Sequence, residues 1–307
     1  MVIHLTISGF SQSHNTGNNR FCDGKDFDLA TTQYHELYRQ LMTLLLHCRD
    51  SETVLTGVDF VLLGTGSNYM YPENPREKQF DYPFLDAKEE LRDFEPPKDL
   101  IDFLDKKKRK PIYFGYGSMH SFGDAEGRVR LWLDVMKKLP QNQRAIFSGV
   151  SGVENSELTE GIQNKKIYVV NHIPHSWLFP KVACVVHHGG AGTTHAVVKA
   201  GVPSIVVPHF ADQPWWASLL YRHGLTINSG IPAKSITSDK LYRALLDVLT
   251  DDDVIEKASV FGVRIRKDQR RDPVTKIVKY IESYWDSLNW DTLSLEDEKS
   301  YASSESS

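Results

Sequence analysis

Apolar residues recur along this chain at two different spacings, and the changes between them mark out the elements. Near the N-terminus VIHLTI reads as a strand, and residues 11–28 form a polar, Gly- and Asn-rich stretch that reads as a loop. Tyr34, Leu37, Tyr38, Leu41 and Leu45 fall at helical spacing and predict a helix over 31–47. Val58 to Leu63 (VDFVLL) is an unbroken apolar run, a buried strand leading into GTGS. Pro72, Pro75, Pro83, Pro96 and Pro97 mark 70–99 as a linker.

Beyond residue 110 the alternation becomes regular. PIYFGYG (Pro111 to Gly117), RAIFSG, KIYVVN, VACVV (Val182 to Val186) and SIVVPHF read as strands. Between them come a helix over about 124–138 with Val129, Trp132, Leu133 and Met136 on one face, and a short one at PHSWLF. Another opens after HHGGAGTT and is stopped by Gly201 and Pro203, and DQPWWASLLYRHG supplies the next. Helices are also expected near 238–250 and 252–266, and from Val274 to about Trp285 with Asp272 as cap and Pro273 in the first position. Short apolar strands alternating with helices predict an α/β fold: a Rossmann-like parallel sheet covered by helices. The expected units are a shortened or atypical N-terminal part (1–80), the α/β domain (81–288) and a disordered, acidic, Ser-rich tail (289–307).

Composition narrows the function classes. The chain has 307 residues, 40% hydrophobic and 25% charged, as in a water-soluble globular protein. Its net charge of −4 gives no case for a nucleic-acid surface. The dense basic run DKKKRKP (Asp105 to Pro111) reads as a solvated connector before a strand, with a localisation signal as the weaker alternative. Cys22, Cys48 and Cys184 have neither metal-type nor redox spacing, which fits a reducing compartment. MVIHLTISGF lacks the basic flank and apolar core of a signal peptide, and no apolar run approaches the about 18 residues of a membrane span. The expected place is the cytoplasm, with contact at a membrane surface left open.

Every Gly-rich turn lies at the carboxyl end of a predicted strand, where open α/β sheets bind ligands. In HHGGAGTT, three glycines clear side chains from the start of a helix, whose unpaired N–H groups and dipole favour an anion by about 0.3–1 kcal/mol. Thr193 and Thr194 could cap that helix or donate to phosphate, and a histidine just before it adds a donor. A phosphate or diphosphate fits; glycines that only permit close strand–helix packing are the competing explanation. G-x-G-x-x-G fails at His195, His120 and Tyr69, and no Gly-Lys-Ser/Thr occurs, so neither a dinucleotide fingerprint nor a Walker loop is present. At the end of the next strand Asp212 and Gln213 sit side by side, an acceptor and a donor–acceptor suited to neighbouring sugar hydroxyls; a plain helix cap at Asp212 is the alternative.

The combination resembles the C-terminal domain of the GT-B fold UDP-glycosyltransferases, and within them the sterol 3-beta-glucosyltransferases. It is carried by YFGYGSM (113–119), HIPHSWLFPKVACVVHHGGAGTT (172–194), AGVPSIVVPHFADQP (200–214) and FLDAKEELRDFEPPKDLIDFL (84–104), and covers about 81–285. The resemblance implies a hexosyltransferase that moves glucose from UDP-glucose to a sterol-like hydroxyl with inversion, without a metal or other cofactor. By position it implies that His188 bonds the donor diphosphate and that Ala191, Gly192 and Thr193 offer further donors to it. Asp212 and Gln213 would hold the glucose, the Ile173 backbone would meet the uracil, and Ser118 would lie near the phosphates. Trp177, in an apolar turn, reads as core.

The chain also departs from that family. Its start does not match the Gly-rich loop that follows the first strand in family members, and about 80 residues are few for a complete acceptor domain. No residue can be placed by motif as the general base; His120 and His209 merely adjoin the donor turns. The triplets DFD (26–28) and DDD (251–253) could suggest a metal, but the second precedes a helix, where acidic residues are expected. The rival function is a non-catalytic nucleotide-sugar-binding subunit, or a fragment, that needs a partner to supply the acceptor half. A shortened first domain also leads to an expectation of self-association through the apolar face of the last helix (Val274, Ile277, Val278, Ile281, Trp285).

Overall fold

The computed structural model describes residues 60–64, 77–81, 90–105, 109–117, 124–268, 275–276, 279 and 283. The expected strand VIHLTI, the helix over 31–47, the acidic tail and the apolar face of the last helix lie outside these residues, as do Ser118, His120 and the DFD triplet.

The elements are β1 (Phe60–Gly64), β2 (Glu77–Asp81), α1 (Lys98–Phe103), β3 (Ile112–Phe114), α2 (Ala125–Lys138), β4 (Ala145–Ser148), α3 (Ser156–Gln163) and β5 (Ile167–Val170). There follow α4 (His175–Leu178), β6 (Cys184–His187), α5 (Ala191–Ala200), β7 (Ser204–Val206), α6 (Gln213–Arg222), α7 (Ser238–Thr250) and α8 (Asp252–Asp268). Strands β1 and β2 pair in parallel, Phe60 opposite Glu77 through Gly64 opposite Asp81. β2 lies within the stretch read as linker and crosses the expected boundary at 80/81. Pro72, Pro75 and Pro83 flank this strand without entering it, so its pairing loses no N–H donor.

The main sheet has the order β5-β4-β3-β6-β7 and is parallel throughout. The chain builds outward from β3 through β4 to β5, then returns to the other side of β3 with β6. This reversal is a topological switch point, and open sheets of this kind bind ligands at such a point, here outside the carboxyl ends of β3 and β6.

Alternation along the strands divides the core between two faces. Ile112, Phe114, Ala145, Phe147, Cys184, Val186 and Ile205 point to the side covered by α2 and α7, where Trp132 packs its ring against Phe114 and Phe147. Tyr113, Ile146, Val170 and Val185 point to the other, under α1, α4 and α5, while Val206 meets α6 and α8. Both faces are buried, which is why the strands read as unbroken apolar runs. Removing one such side chain from water is worth about 1.5–3 kcal/mol. Local signals set the helix ends: Asp124 accepts from Gly127 N at the start of α2 and Thr237 from Lys240 N at the start of α7. In DDD, Asp251 Oδ1 accepts from Val254 N, the role that its position before α8 suggested. Among the described residues no helix is long and apolar enough to cross a membrane.

Candidate functional site

β6 ends on His187, and the chain leaves the sheet through His188, Gly189 and Gly190 before α5 begins at Ala191. Gly189 has φ +88°, and a Cβ there would lie 2.7 Å from Val206 Cγ1 and 3.1 Å from the Gln213 carbonyl oxygen. Only a residue without a side chain makes this turn, and the turn brings the β6–α5 corner against the β7–α6 corner. The packing explanation therefore holds at Gly189. It leaves the next step open, because the N-cap Gly190 makes no side-chain cap bond. The N–H groups of Ala191, Gly192 and Thr193 are the first-turn donors that the helix itself does not use. Gly192 is exposed, and Ala191 and Thr193 are half-buried. The Thr194 hydroxyl is buried with no hydrogen-bond partner, so neither threonine caps the helix as the sequence allowed.

The paired imidazoles have separate surroundings. His187 is fully buried, its Nδ1 accepts from Gly189 N at 3.2 Å, and burial pushes its pKa down to about 3. His188, only 6% exposed, lies between two glycines: a Cβ on Gly117 would sit 3.0 Å from its Cε1, and one on Gly190 2.3 Å from its Nε2. Its Nδ1 is buried and has no hydrogen-bond partner. Burial first, then the nearby His209 and His175, push its pKa down to about 4. At neutral pH His188 is thus an uncharged ring with one N–H and one lone pair. An unmet buried polar atom costs about 1–3 kcal/mol, and a ligand is one physical reason for a fold to carry it.

At the third corner Asp212 occupies the N-cap position of α6 without capping it. Its Oδ2 accepts from the Trp216 indole at 2.6 Å; burial raises its pKa and this bond opposes the rise. Gln213 is buried, and its Oε1 accepts from the backbone N of both His209 (2.7 Å) and Phe210 (3.3 Å). The expectation that Gln213 both donates and accepts is thereby narrowed: its oxygen is engaged within the turn and its NH2 group remains as donor. Ala211, between Phe210 and Asp212, has φ +56°, a left-handed conformation that costs an L-residue about 1–2 kcal/mol. Ile173 follows β5 and packs half-buried on the cluster under α4 and α5. Trp177, read as core, is half-buried on the same cluster, its ring edge-on to Phe94 and covered by Lys181 Nζ at 4.1 Å.

The β6–α5 corner thus meets Gly117 through His188 and Thr193 and meets Gln213 through Gly189, outside the carboxyl ends of β3, β6 and β7. Two residues the sequence reading missed lie at this corner beside His209. Arg128 is nearly buried, donates from Nη2 to the Gly149 carbonyl at 3.2 Å, and has its guanidinium carbon 5.9 Å from the centres of the Tyr116 and Trp132 rings. Tyr116 is also buried, which raises its pKa to about 12. The signal for Arg128 was its spacing: with the buried Trp132 and Val135 it forms an i, i+4, i+7 stripe.

Residues 135–283 match the family model described as Erythromycin biosynthesis protein CIII-like, C-terminal domain. A Sterol 3-beta-glucosyltransferase of Cryptococcus neoformans var. neoformans serotype D is 35% identical over 203 residues, which cover 61% of this chain and 12% of that protein. The chain spans between 12% and 26% of the length of that protein and of a similar one from Arabidopsis thaliana. The crystal structure of the glycotransferase of kitacinnamycin matches at a TM-score of 0.57 and 20% identity, covering 77% of this chain and 58% of that one. Phytolacca americana UGT2, in complex with UDP-2fluoro-glucose and pterostilbene, matches at 0.56 and 14% identity, covering 73% and 53%. These two likenesses give the fold: the described α/β unit is of the GT-B glycosyltransferase type.

Proposed function

We propose that this chain, whose main sheet and helices form a GT-B domain similar to the donor-side half of the sterol glucosyltransferases, binds UDP-glucose at the switch point and transfers its glucose, with inversion, to a sterol-like hydroxyl. The observation that carries the reading is His188: a nearly buried imidazole whose Nδ1 has no hydrogen-bond partner, beside the first-turn N–H groups of α5. As the glycosidic bond breaks, negative charge grows on the departing UDP, and those N–H groups and the His188 N–H meet it already oriented. Preorganised donors of this kind lower such barriers by about 2.7–4 kcal/mol each.

The neighbouring turn has the chemistry for the sugar. Asp212 Oδ2 is held by the Trp216 indole, and the carboxylate keeps lone pairs with which to accept from a hydroxyl. The Gln213 NH2 group donates. The Ile173 backbone is assigned to the uracil and Ser118 to the phosphates, in accordance with their positions in the motif. The sterol acceptor is inferred from the printed activity of the similar proteins, of which this chain spans only part. Contact with a membrane surface, where a sterol resides, follows from the same inference.

Incubating the full chain with labelled UDP-glucose and a sterol tests this reading. The expected products are UDP and a sterol glucoside in equal amounts, with the anomeric configuration inverted. UDP-glucose binding without any glucoside would overturn the transfer reaction and support a nucleotide-sugar-binding subunit.

A further inference from the structure

The donor turns contain one more imidazole that the motif does not use. The alternation that directs Ile112 and Phe114, Cys184 and Val186, and Ile205 and Val207 to the α2 side continues beyond the strand ends to Tyr116, His188 and His209. The three side chains therefore leave the sheet on one side. The ring of His209 stands edge-on to Tyr116 at 4.9 Å. His209 and His188 are close enough for a charge on one to oppose a charge on the other. Two bonds fix the residue: its N–H donates to Gln213 Oε1 at 2.7 Å, and its Nδ1 lies 2.9 Å from the Val207 carbonyl oxygen. A carbonyl can only accept, so Nδ1 carries the proton and Nε2 presents a lone pair. The ring is half-buried, whereas His187 and His188 are nearly inaccessible.

A nucleoside diphosphate sugar brings two negative charges to this corner. The side chains already placed there, His188, Thr193 and Gln213, are uncharged at neutral pH, and Arg128 lies behind Tyr116. Building on the donor-binding reading above, we propose that His209 takes up a proton at Nε2 when the diphosphate docks on the N-terminus of α5, and bonds the phosphoryl oxygens as an imidazolium. It then acts on the leaving-group side of the sugar, which removes it from the candidates for deprotonating the acceptor.

The surrounding charges agree with this sequence of events. Burial lowers the pKa of His209, the Val207 carbonyl opposes that shift, and Arg128 adds to it. The other titratable groups of the corner are His188 at the end of β6, with His175 of α4 behind it, Tyr116 after β3 and Asp212 in the same loop. A dianion close to Nε2 reverses the balance. Binding is then strongest at low pH and weakens as the pH rises through the pKa of the bound state.

Calorimetric titration of the full chain with UDP-glucose in two buffers of different ionisation enthalpy tests the assignment, because the diphosphate of UDP-glucose does not itself titrate near neutrality. The expected result is net proton uptake near pH 7 that disappears in His209→Gln and in His209→Phe, each binding about tenfold or more weaker. The Phe variant keeps the packing on Tyr116, and an unchanged Tm shows that it is folded. Undiminished proton uptake in both variants, or wild-type binding without uptake, overturns the role of His209. Failure of the wild type to bind UDP-glucose at all would instead overturn the donor-site reading on which this inference rests.

Discussion

His187 and His188 adjoin in sequence, yet they should fail in different ways when replaced. His187→Ala removes a buried ring that holds the Gly189 N–H, and is expected to lower stability by about 2–4 kcal/mol. Urea unfolding reads that loss directly. The buried histidines also set a pH dependence. His187 and His195 are each pushed down to about 3, well below the ordinary value near 6.5. Between about pH 6.5 and 3 the unfolded chain binds their protons and the folded chain does not, so stability falls as pH falls through that window. From pH 7 to 5 the two together should cost about 4 kcal/mol, seen as a falling urea midpoint; the raised pKa of Asp212 offsets part of it. At the sugar end, Asp212→Asn should weaken UDP-glucose by about 1–2 kcal/mol and leave UDP nearly unchanged. Equal losses for the two ligands, by calorimetry, would move Asp212 away from the sugar.

Among the elements, the β6–α5 corner is the least tolerant of change. Gly189→Ala meets both a left-handed backbone and a Cβ 2.7 Å from Val206 Cγ1. The expected cost is about 2–4 kcal/mol in thermal unfolding, with donor binding lost as the corner moves. Most elements beyond residue 110 were legible because strand and helix periodicity agree with end signals there: α7 spans 238–250 as its pattern indicated, whereas the short helix α3 between β4 and β5 was not foreseen. The strand Glu77–Asp81 was not legible. Its charged composition resembles linker, and only pairing with Phe60–Gly64 makes it a strand. The bond that turns Asp212 from helix cap to indole partner was equally hidden, because it depends on the rotamer of Trp216 and not on spacing alone.

At the scale of the molecule, the placement of the corners follows from topology. The order β5-β4-β3-β6-β7 puts the turns after β3, β6 and β7 side by side, although the first and last of them lie some ninety residues apart in the chain. Sequence motifs pointed to each turn separately. They did not show Arg128 over Tyr116 beside His209, because helix α2 brings that arginine in from another part of the chain. A ligand bound at the corners should stabilise the domain as a whole, by about 2.7 kcal/mol at a concentration one hundred times its Kd. The most direct measurement is calorimetric titration of UDP-glucose into the full chain and into its His188→Ala variant, with urea unfolding of both as a check on folding. The expected result is binding by the wild type and a loss of about 1–3 kcal/mol in a variant that remains folded. Wild-type affinity retained by folded His188→Ala would contradict it.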